Sequence, residues 1–473
     1  MLVARPLKNS QLTPRPRGES HAIYGTGHEH MIKPQRRRNR RYEVLLLALS
    51  LWLSGCVNLL VHSTATSNRA FIAYWPPPKN ENGLRLAVKD LIDLKGTITT
   101  AGSKYLAKFG QPAQSDAACL ALARQQNVII VGKTNLSEFA VAPSGFNQYY
   151  GIPKNRLSRK VKLIPGGSSS GSAVAVQSGL ADVAFGTDTA GSIRVPAACC
   201  GVVGLKTTFG LVPLQGVLPV EPKYLDTVGP IARDIDHLVQ GMDLLEKDFA
   251  AQYQQAVSRK PLGRQIRIGR LYLAGTDHRV DQAIDAALAA AQFQVIPLSG
   301  SLRTAWEQAK RDGNTLAAAG EWVNNGKYLG RPGVSSKTAA ILALGEYEYR
   351  VNYPGALKRR LVWEADLQKI FRTVDFIAIP TLQTLTPASP PLGSTAVFEA
   401  QMLSIQNTTP VNLAGNPALA VPVPVEDRAV PLASLQLIGP PLSEAGLLNA
   451  GRLVELSVNS SIDRPLVTKS SKP

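Results

Sequence analysis

From about residue 83 onward, apolar and polar positions alternate between a strand-like and a helix-like period. Leu86-Ala87-Val88 is an apolar run that ends on Lys89. Ser115 is placed to cap a helix reaching about Gln126, which leads into the apolar run Val128-Ile129-Ile130-Val131. Ser170 to Leu180 is helical in pattern, and Val183-Ala184-Phe185 reads as a short strand. Residues 266–273 predict a strand, 281–291 a helix and 293–297 another strand. Further strands are predicted at 376–380, 418–423 and 434–439, then a helix from about Ser443 to Leu456. Such alternation predicts an α/β fold, one large sheet layered with helices. Residues 299–365 are mostly helical in composition, carry no sharp pattern, and are the expected place for substrate-specific structure.

The N-terminal pattern is of another kind. Residues 36–41 read RRRNRR, residues 44–53 read VLLLALSLWL, and Leu53-Ser54-Gly55-Cys56 follows. A basic stretch, a short apolar stretch and a small-residue cleavage site make a secretory leader. The LSGC segment resembles the lipobox of bacterial lipoproteins, which implies a lipid on Cys56 and attachment in the cell envelope. Competing readings are an uncleaved anchor over Val44 to Val61, a twin-arginine signal at Arg40-Arg41, and a helix of a cytoplasmic protein. The expected organisation is a basic extension over 1–30, a leader over 31–56 and a proline-bearing tether over 57–82. A catalytic domain over 83–460 and a tail over 461–473 complete it.

The chain of 473 residues is 44% hydrophobic, enough to bury a large core, and carries a formal charge of +18. That charge raises nucleic acid or an anionic membrane as partners. Residues 1–43 hold ten Lys or Arg against three Asp or Glu, so much of the excess sits in the leader and no nucleic-acid module is evident. Cys56, Cys119, Cys199 and Cys200 form no C-x-x-C pair, so neither a disulfide framework nor a zinc site is indicated. No metal, nucleotide or flavin motif appears, and no cofactor is expected.

Candidate chemistry gathers in three places. Pro165-Gly166-Gly167-Ser168-Ser169-Ser170-Gly171-Ser172 opens a predicted helix, where close backbone approach and free N–H groups coincide. A phosphate-binding loop competes but lacks the lysine after its last glycine, and a plain Gly/Ser turn is the ordinary reading. Gly186-Thr187-Asp188-Thr189-Ala190-Gly191-Ser192 is a strand end followed by a tight turn. Its N–H groups from Thr189 through Ala190 and Gly191 to Ser192 could converge as an oxyanion hole. Lys89 is most simply a surface charge; buried, it would lose hydration and become a base.

Taken together, residues 165–208, the upstream VKDLIDLKG (88–96), and the downstream LDTVGPIARD (225–234), PVNLAGNPALAVPV (410–423) and LQLIGPP (435–441) resemble the amidase signature family. The resemblance covers about residues 83–456. It implies a single large domain, with a mixed, twisted central sheet covered by helices on both faces. It also implies amide hydrolysis through a Ser–Ser–Lys triad: Ser192 as nucleophile, Ser168 after a cis peptide from Gly167 as bridge, and Lys89 as base. Asp188 and Arg194 would shape the site, with Ser169 in support, and a small-molecule amide would be the partner. Departures from the family pattern are Ala190 for a common glycine, Cys199 for a common aromatic residue and Thr207 for a common proline.

One check is independent of that resemblance. From residue 83 onward only His237 and His278 occur, neither in a motif, so a serine activated here has lysine as its natural base. Two rival functions remain. One is an A-type amidotransferase subunit that uses glutamine, whose members commonly carry glutamine where this chain has Val195. The other is an inactive surface-binding protein. Hydrolysis of small ureas or of lipid amides are further variants.

Overall fold

The computed structural model describes residues 68–78, 82–391 and 395–462. The leader, Cys56 and the C-terminal tail lie outside the described residues. All described residues belong to one compact unit, Asn58–Pro473.

The chain builds strands β1 (Phe71–Tyr74), β2 (Leu84–Lys89), β3 (Val128–Thr134), β4 (Val183–Asp188), β5 (Val203–Lys206) and β6 (Thr227–Ala232). It continues with β7 (Arg267–Arg270), β8 (Gln294–Pro297), β9 (Phe376–Pro380), β10 (Ala418–Pro424) and β11 (Leu432–Ile438). They form one mixed eleven-stranded sheet in the order β1-β3-β2-β4-β6-β5-β10-β11-β9-β7-β8. β2 runs parallel to both β3 and β4, with Val88 beside Phe185, whereas β4, β6, β5, β10, β11 and β9 pair antiparallel in succession.

Alternation along the strands sorts side chains to two covered faces. Ala87, Ala184, Ile231 and Ala420 pack against the short helices α1 (Ser170–Gln177) and α2 (Arg194–Cys200). Leu86, Val88, Val183, Phe185, Leu419 and Val421 pack on the opposite side. There they meet α3 (Ile235–Asp243), α4 (His278–Ala290) and α8 (Glu444–Ile462). Small side chains on the first face let α1 and α2 approach the sheet closely.

The stretch 299–365 is α5 (Gly300–Asn325), α6 (Ser336–Val351) and the start of α7 (Tyr353–Ile370). Trp306 of α5 meets Trp363 of α7 edge-on at 5.6 Å. Both rings pack with Ile377 and Ile379 of β9.

Three expectations change. Ser115 caps nothing: a 3-10 turn starts at Ala118, because the N–H groups of Ala117 and Ala118 go to the Asp93 and Gln215 carbonyls. The strand expected over 266–273 closes at Arg270, since the chain then turns toward Asp277, whose side chain caps α4. The stretch read as a tether contains β1, where Phe71 and Ile72 are buried and pair the chain with β3. Among the described residues no helix is long and apolar enough to cross a membrane.

Candidate active site

β2 and β4 end side by side, and their last residues are Lys89 and Asp188. Alternation puts Lys89 on the face of Ala87, beneath the loop that opens α1. It is fully buried. Its Nζ lies 2.7 Å from Ser168 Oγ and 2.7 Å from Thr187 Oγ1. Loss of hydration brings its pKa down to about 7, against the opposing pull of Asp188 and Asp226. Asp90, the next residue, is pinned by Lys133 Nζ at 3.0 Å and by the Thr100 N–H at 3.0 Å, which fixes the chain just past Lys89. The Gly167–Ser168 peptide is cis.

Asp188 organises the turn that follows β4. Its carboxylate accepts from the N–H of Gly191 at 2.7 Å and of Ile193 at 3.1 Å. It also pairs with Arg194 through Nε at 3.0 Å and Nη2 at 2.9 Å. Burial by itself would raise its pKa, but the Arg194 guanidinium outweighs that and, with Lys206 and Asn412, holds the carboxyl well below the usual range. Arg194 is saturated in turn by the Thr408 carbonyl, Gln436 and Asn412. Breaking such a buried pair from one side typically costs about 3–5 kcal/mol, so these residues hold the turn rather than carry protons.

The structure therefore brings Lys89, Ser168, Asp188, Arg194 and the turn Thr189–Ser192 together. Ser169 joins through its N–H to the Ser192 carbonyl at 3.1 Å and its hydroxyl to the Thr187 carbonyl at 3.4 Å. Two details differ from expectation. The Gly191 N–H is spent on Asp188, so Thr189, Ala190 and Ser192 are the turn's donors with no acceptor among the described residues. No hydrogen bond joins Ser168 Oγ to Ser192 Oγ in this state, and the Ser192 hydroxyl makes none among the described residues.

Gly191 has φ +132°, and a Cβ there would stand 2.1 Å from Thr408 Oγ1. Gly191→Ala must displace the turn. A loss of about 100-fold or more in kcat/KM is expected, the scale of one oxyanion donor. Steady-state kinetics on any amide the wild type cleaves checks this, and wild-type activity in the variant would show that the turn does not position donors.

Thr189, Ala190, Gly191 and Ser192 line a cavity of about 570 Å³, whose opposite wall is α5 and α6. The stretch without a sharp sequence pattern thus supplies the far wall of this cavity. Polar residues overlooked individually are Asp226, Asn412 and Gln436, which lie in segments noted only as family landmarks, and Thr408, two residues before one of those segments. Asp226 accepts from Thr189 Oγ1 at 2.6 Å. Thr408 holds the Ala190 carbonyl at 2.5 Å.

Lys206, another fully buried lysine, is also lowered to about 7, by burial first and then by Arg194. Among the described residues it donates to the Thr207 and Asn416 carbonyls alone, at 2.8 and 2.9 Å, and to no hydroxyl. Neither histidine among the described residues joins the site: His237 pairs with Asp234 at 2.6 Å and His278 is exposed. Val195 is buried among Phe146, Ile164 and Met402, away from the cavity wall.

The sequence profile described as Amidase matches residues 79–448. A Halobacterium salinarum protein, named as the A-type subunit of glutamyl-tRNA(Gln) amidotransferase, is 34% identical over 412 residues, spanning 79% of this chain and 95% of that one. A protein of the same name from Thermodesulfovibrio yellowstonii is 32% identical over 422 residues, spanning 81% and 85%. Among solved structures, an amidase superposes with TM-score 0.65 at 28% identity, covering 80% of this chain and 85% of that one. A chain from a vestigial complex tied to the origins of an s-triazine catabolic enzyme gives TM-score 0.70 at 25% identity, covering 87% and 94%.

Proposed function

The chain belongs to the amidase family, and from that premise we propose that it cleaves a carboxamide C–N bond through an acyl-enzyme on Ser192, using a Ser-cisSer-Lys triad. The observation that carries this reading is the 2.7 Å contact between a fully buried lysine amine and the Ser168 hydroxyl. An amine with pKa about 7 is substantially neutral near neutral pH and can accept a proton.

In the proposed cycle Lys89 takes the Ser168 proton as Ser168 takes that of Ser192. The Ser192 oxygen bonds to the carbonyl carbon. The negative oxygen of the tetrahedral adduct receives N–H groups of Thr189, Ala190 and Ser192. The C–N bond then breaks, and the proton held on Lys89 returns through Ser168 to the departing nitrogen. Water, activated by the same relay, cleaves the ester and restores Ser192.

A second reading takes glutamine as the amide and passes the released ammonia to a tRNA-linked acceptor. The names of the relatives favour it, supported by the 95% of the Halobacterium protein that the alignment spans. Val195 instead favours the stand-alone hydrolase, because A-type subunits commonly carry glutamine there.

The test is amine or ammonia release from a panel of aliphatic, aromatic and peptide amides that includes glutamine, comparing wild type with Ser192→Ala. Serine-dependent release from glutamine alone would select the second reading, release from other amides the first, and serine-independent release would sink both.

Location separates the readings again. The LSGC segment supports an envelope protein attached at Cys56, and the amidotransferase reading goes with a cytoplasmic one. The full chain is expected in the membrane fraction, and Cys56→Ala in the soluble fraction. A wild-type chain that is already soluble would remove the lipid anchor.

A further inference from the structure

The segment between β3 and α1 concentrates positive charge that the chemistry at Ser192 does not use. No acidic residue occurs from Phe139 to Ala181, whereas Lys154, Arg156, Arg159, Lys160 and Lys162 all fall within that stretch. All five are exposed, and so is Arg69, two residues before β1. Among the described residues none of the six forms an ion pair. The acids that bound the stretch are both engaged. Glu138 is buried and accepts from Thr338 Oγ1 at 2.7 Å, and Asp182 pairs with Arg85 at 2.6 Å.

The inner side of this loop is fastened to α1 and α2. Asn155 Nδ2 donates to the Ile164 and Cys199 carbonyls at 2.7 and 2.8 Å. Gln177, the last residue of α1, donates to Asn155 Oδ1 at 3.0 Å and accepts from the Arg156 N–H at 2.8 Å. Leu157 packs on Gly201, where a Cβ would stand 2.9 Å from its Cδ1. The Ser158 hydroxyl accepts from the N–H groups of Lys160 and Val161, both at 3.1 Å, and closes a turn at the tip. Amide and apolar groups are spent on the body, and the cations are left to water. Like charges held together repel, and an anionic partner relieves that repulsion.

The same face is where the chain enters the fold. The Lys154 N–H donates to the Asn68 carbonyl at 2.9 Å, and Asn135 Nδ2 reaches the carbonyls of Arg69 and Gly151 at 3.1 and 3.0 Å. The sequence before Asn68 holds the basic stretch at 36–41 and the apolar stretch at 44–53, a membrane-directed pattern. Cys56 precedes Asn68 by twelve residues, at most about 40 Å of extended chain. Residues 151–165 contain no aromatic side chain, so the loop lacks the stacking groups with which proteins hold single-stranded nucleic acid.

We propose that this basic face, Arg69 with the 154–162 loop, docks the catalytic body on a bilayer surface carrying anionic phospholipid, a contact separate from any lipid on Cys56. Headgroup phosphates supply the counter-charge that the protein lacks there, and each cation near such a surface strengthens binding about five-fold. Because the chain reaches the body at this face, a membrane-bound leader presents the loop to the bilayer, and the two contacts reinforce each other. None of the six cations lines the active-site cavity, so docking leaves the catalytic groups unoccupied.

The experiment measures cosedimentation of the full chain carrying Cys56→Ala with vesicles of phosphatidylcholine, alone or with about one quarter phosphatidylglycerol. It is repeated after adding Arg156→Gln, Arg159→Gln, Lys160→Gln and Lys162→Gln together. A charge-matched control adds instead Arg264→Gln, Arg303→Gln, Lys358→Gln and Arg372→Gln, four exposed cations elsewhere in the sequence. The parent should prefer the anionic vesicles. The loop variant should bind them about 100-fold or more weakly, and the control within about three-fold of the parent. A parent without that preference, a loop variant that binds like the parent, or equal losses in loop variant and control would overturn the proposal. Loop-dependent binding to duplex RNA that exceeds binding to the vesicles would overturn it in favour of a nucleic-acid face. Should the four-fold loop variant not fold, Arg159→Gln with Lys160→Gln replaces it and should weaken anionic binding about ten-fold. Vesicle binding is read without catalysis, so a chain that cleaves no amide would defeat the proposed function and leave this result standing.

Discussion

Ser192→Ala should lose about 10⁴- to 10⁶-fold in amide turnover, the range seen when a serine hydrolase loses its nucleophile. No neighbouring hydroxyl can stand in. Ser168 Oγ is held by Lys89 at 2.7 Å, and Ser169 Oγ faces the Thr187 carbonyl at 3.4 Å. Stability should barely change, because the Ser192 hydroxyl makes no hydrogen bond among the described residues. A shift within about 0.5 kcal/mol in denaturant unfolding is expected. Turnover that persists in a folded variant would remove Ser192 from the chemistry. A variant that unfolds would make its role structural.

Lys89→Met should fall nearly as far, and the wild-type pH profile carries the same assignment. The working form is the neutral amine, so kcat/KM should rise with pH through about 7 and level off above it. Lys206 has a similar pKa, so the inflection needs an owner. Lys206 faces carbonyls and Lys89 faces a hydroxyl, so the inflection should remain near 7 in Lys206→Met. Its disappearance there would transfer the base role to Lys206.

Stability follows the opposite limb of the same titration. Between about 7 and 10.5 the unfolded chain binds the Lys89 proton and the folded chain does not, so stability rises with pH across that window. Below 7 both states are protonated and the penalty is constant. Lys89→Met should flatten that rise in denaturant titrations, with Lys206 accounting for what remains.

The amino-acid pattern by itself determined much of this protein. Continuous apolar runs at 376–380 and 418–423 and the helical pattern after Ser170 reappear as β9, β10 and α1, because the burial of each element is written in its own local sequence. The Gly/Ser loop, the small-residue turn and the lysine closing an apolar run were visible as chemistry, since each departs from what a strand or helix alone requires. Tertiary structure decided what those departures meant. Whether Lys89 is a surface charge or a base depends on whether a sheet and two helices remove its water, and only the packed fold does that. The Gly191 N–H looked available in the turn and is taken by Asp188, a choice made by side-chain geometry. The contribution of 299–365 was hidden for the same reason: α5 faces the sheet with one side and the cavity with the other, so its polar positions break the period that a sequence reading follows.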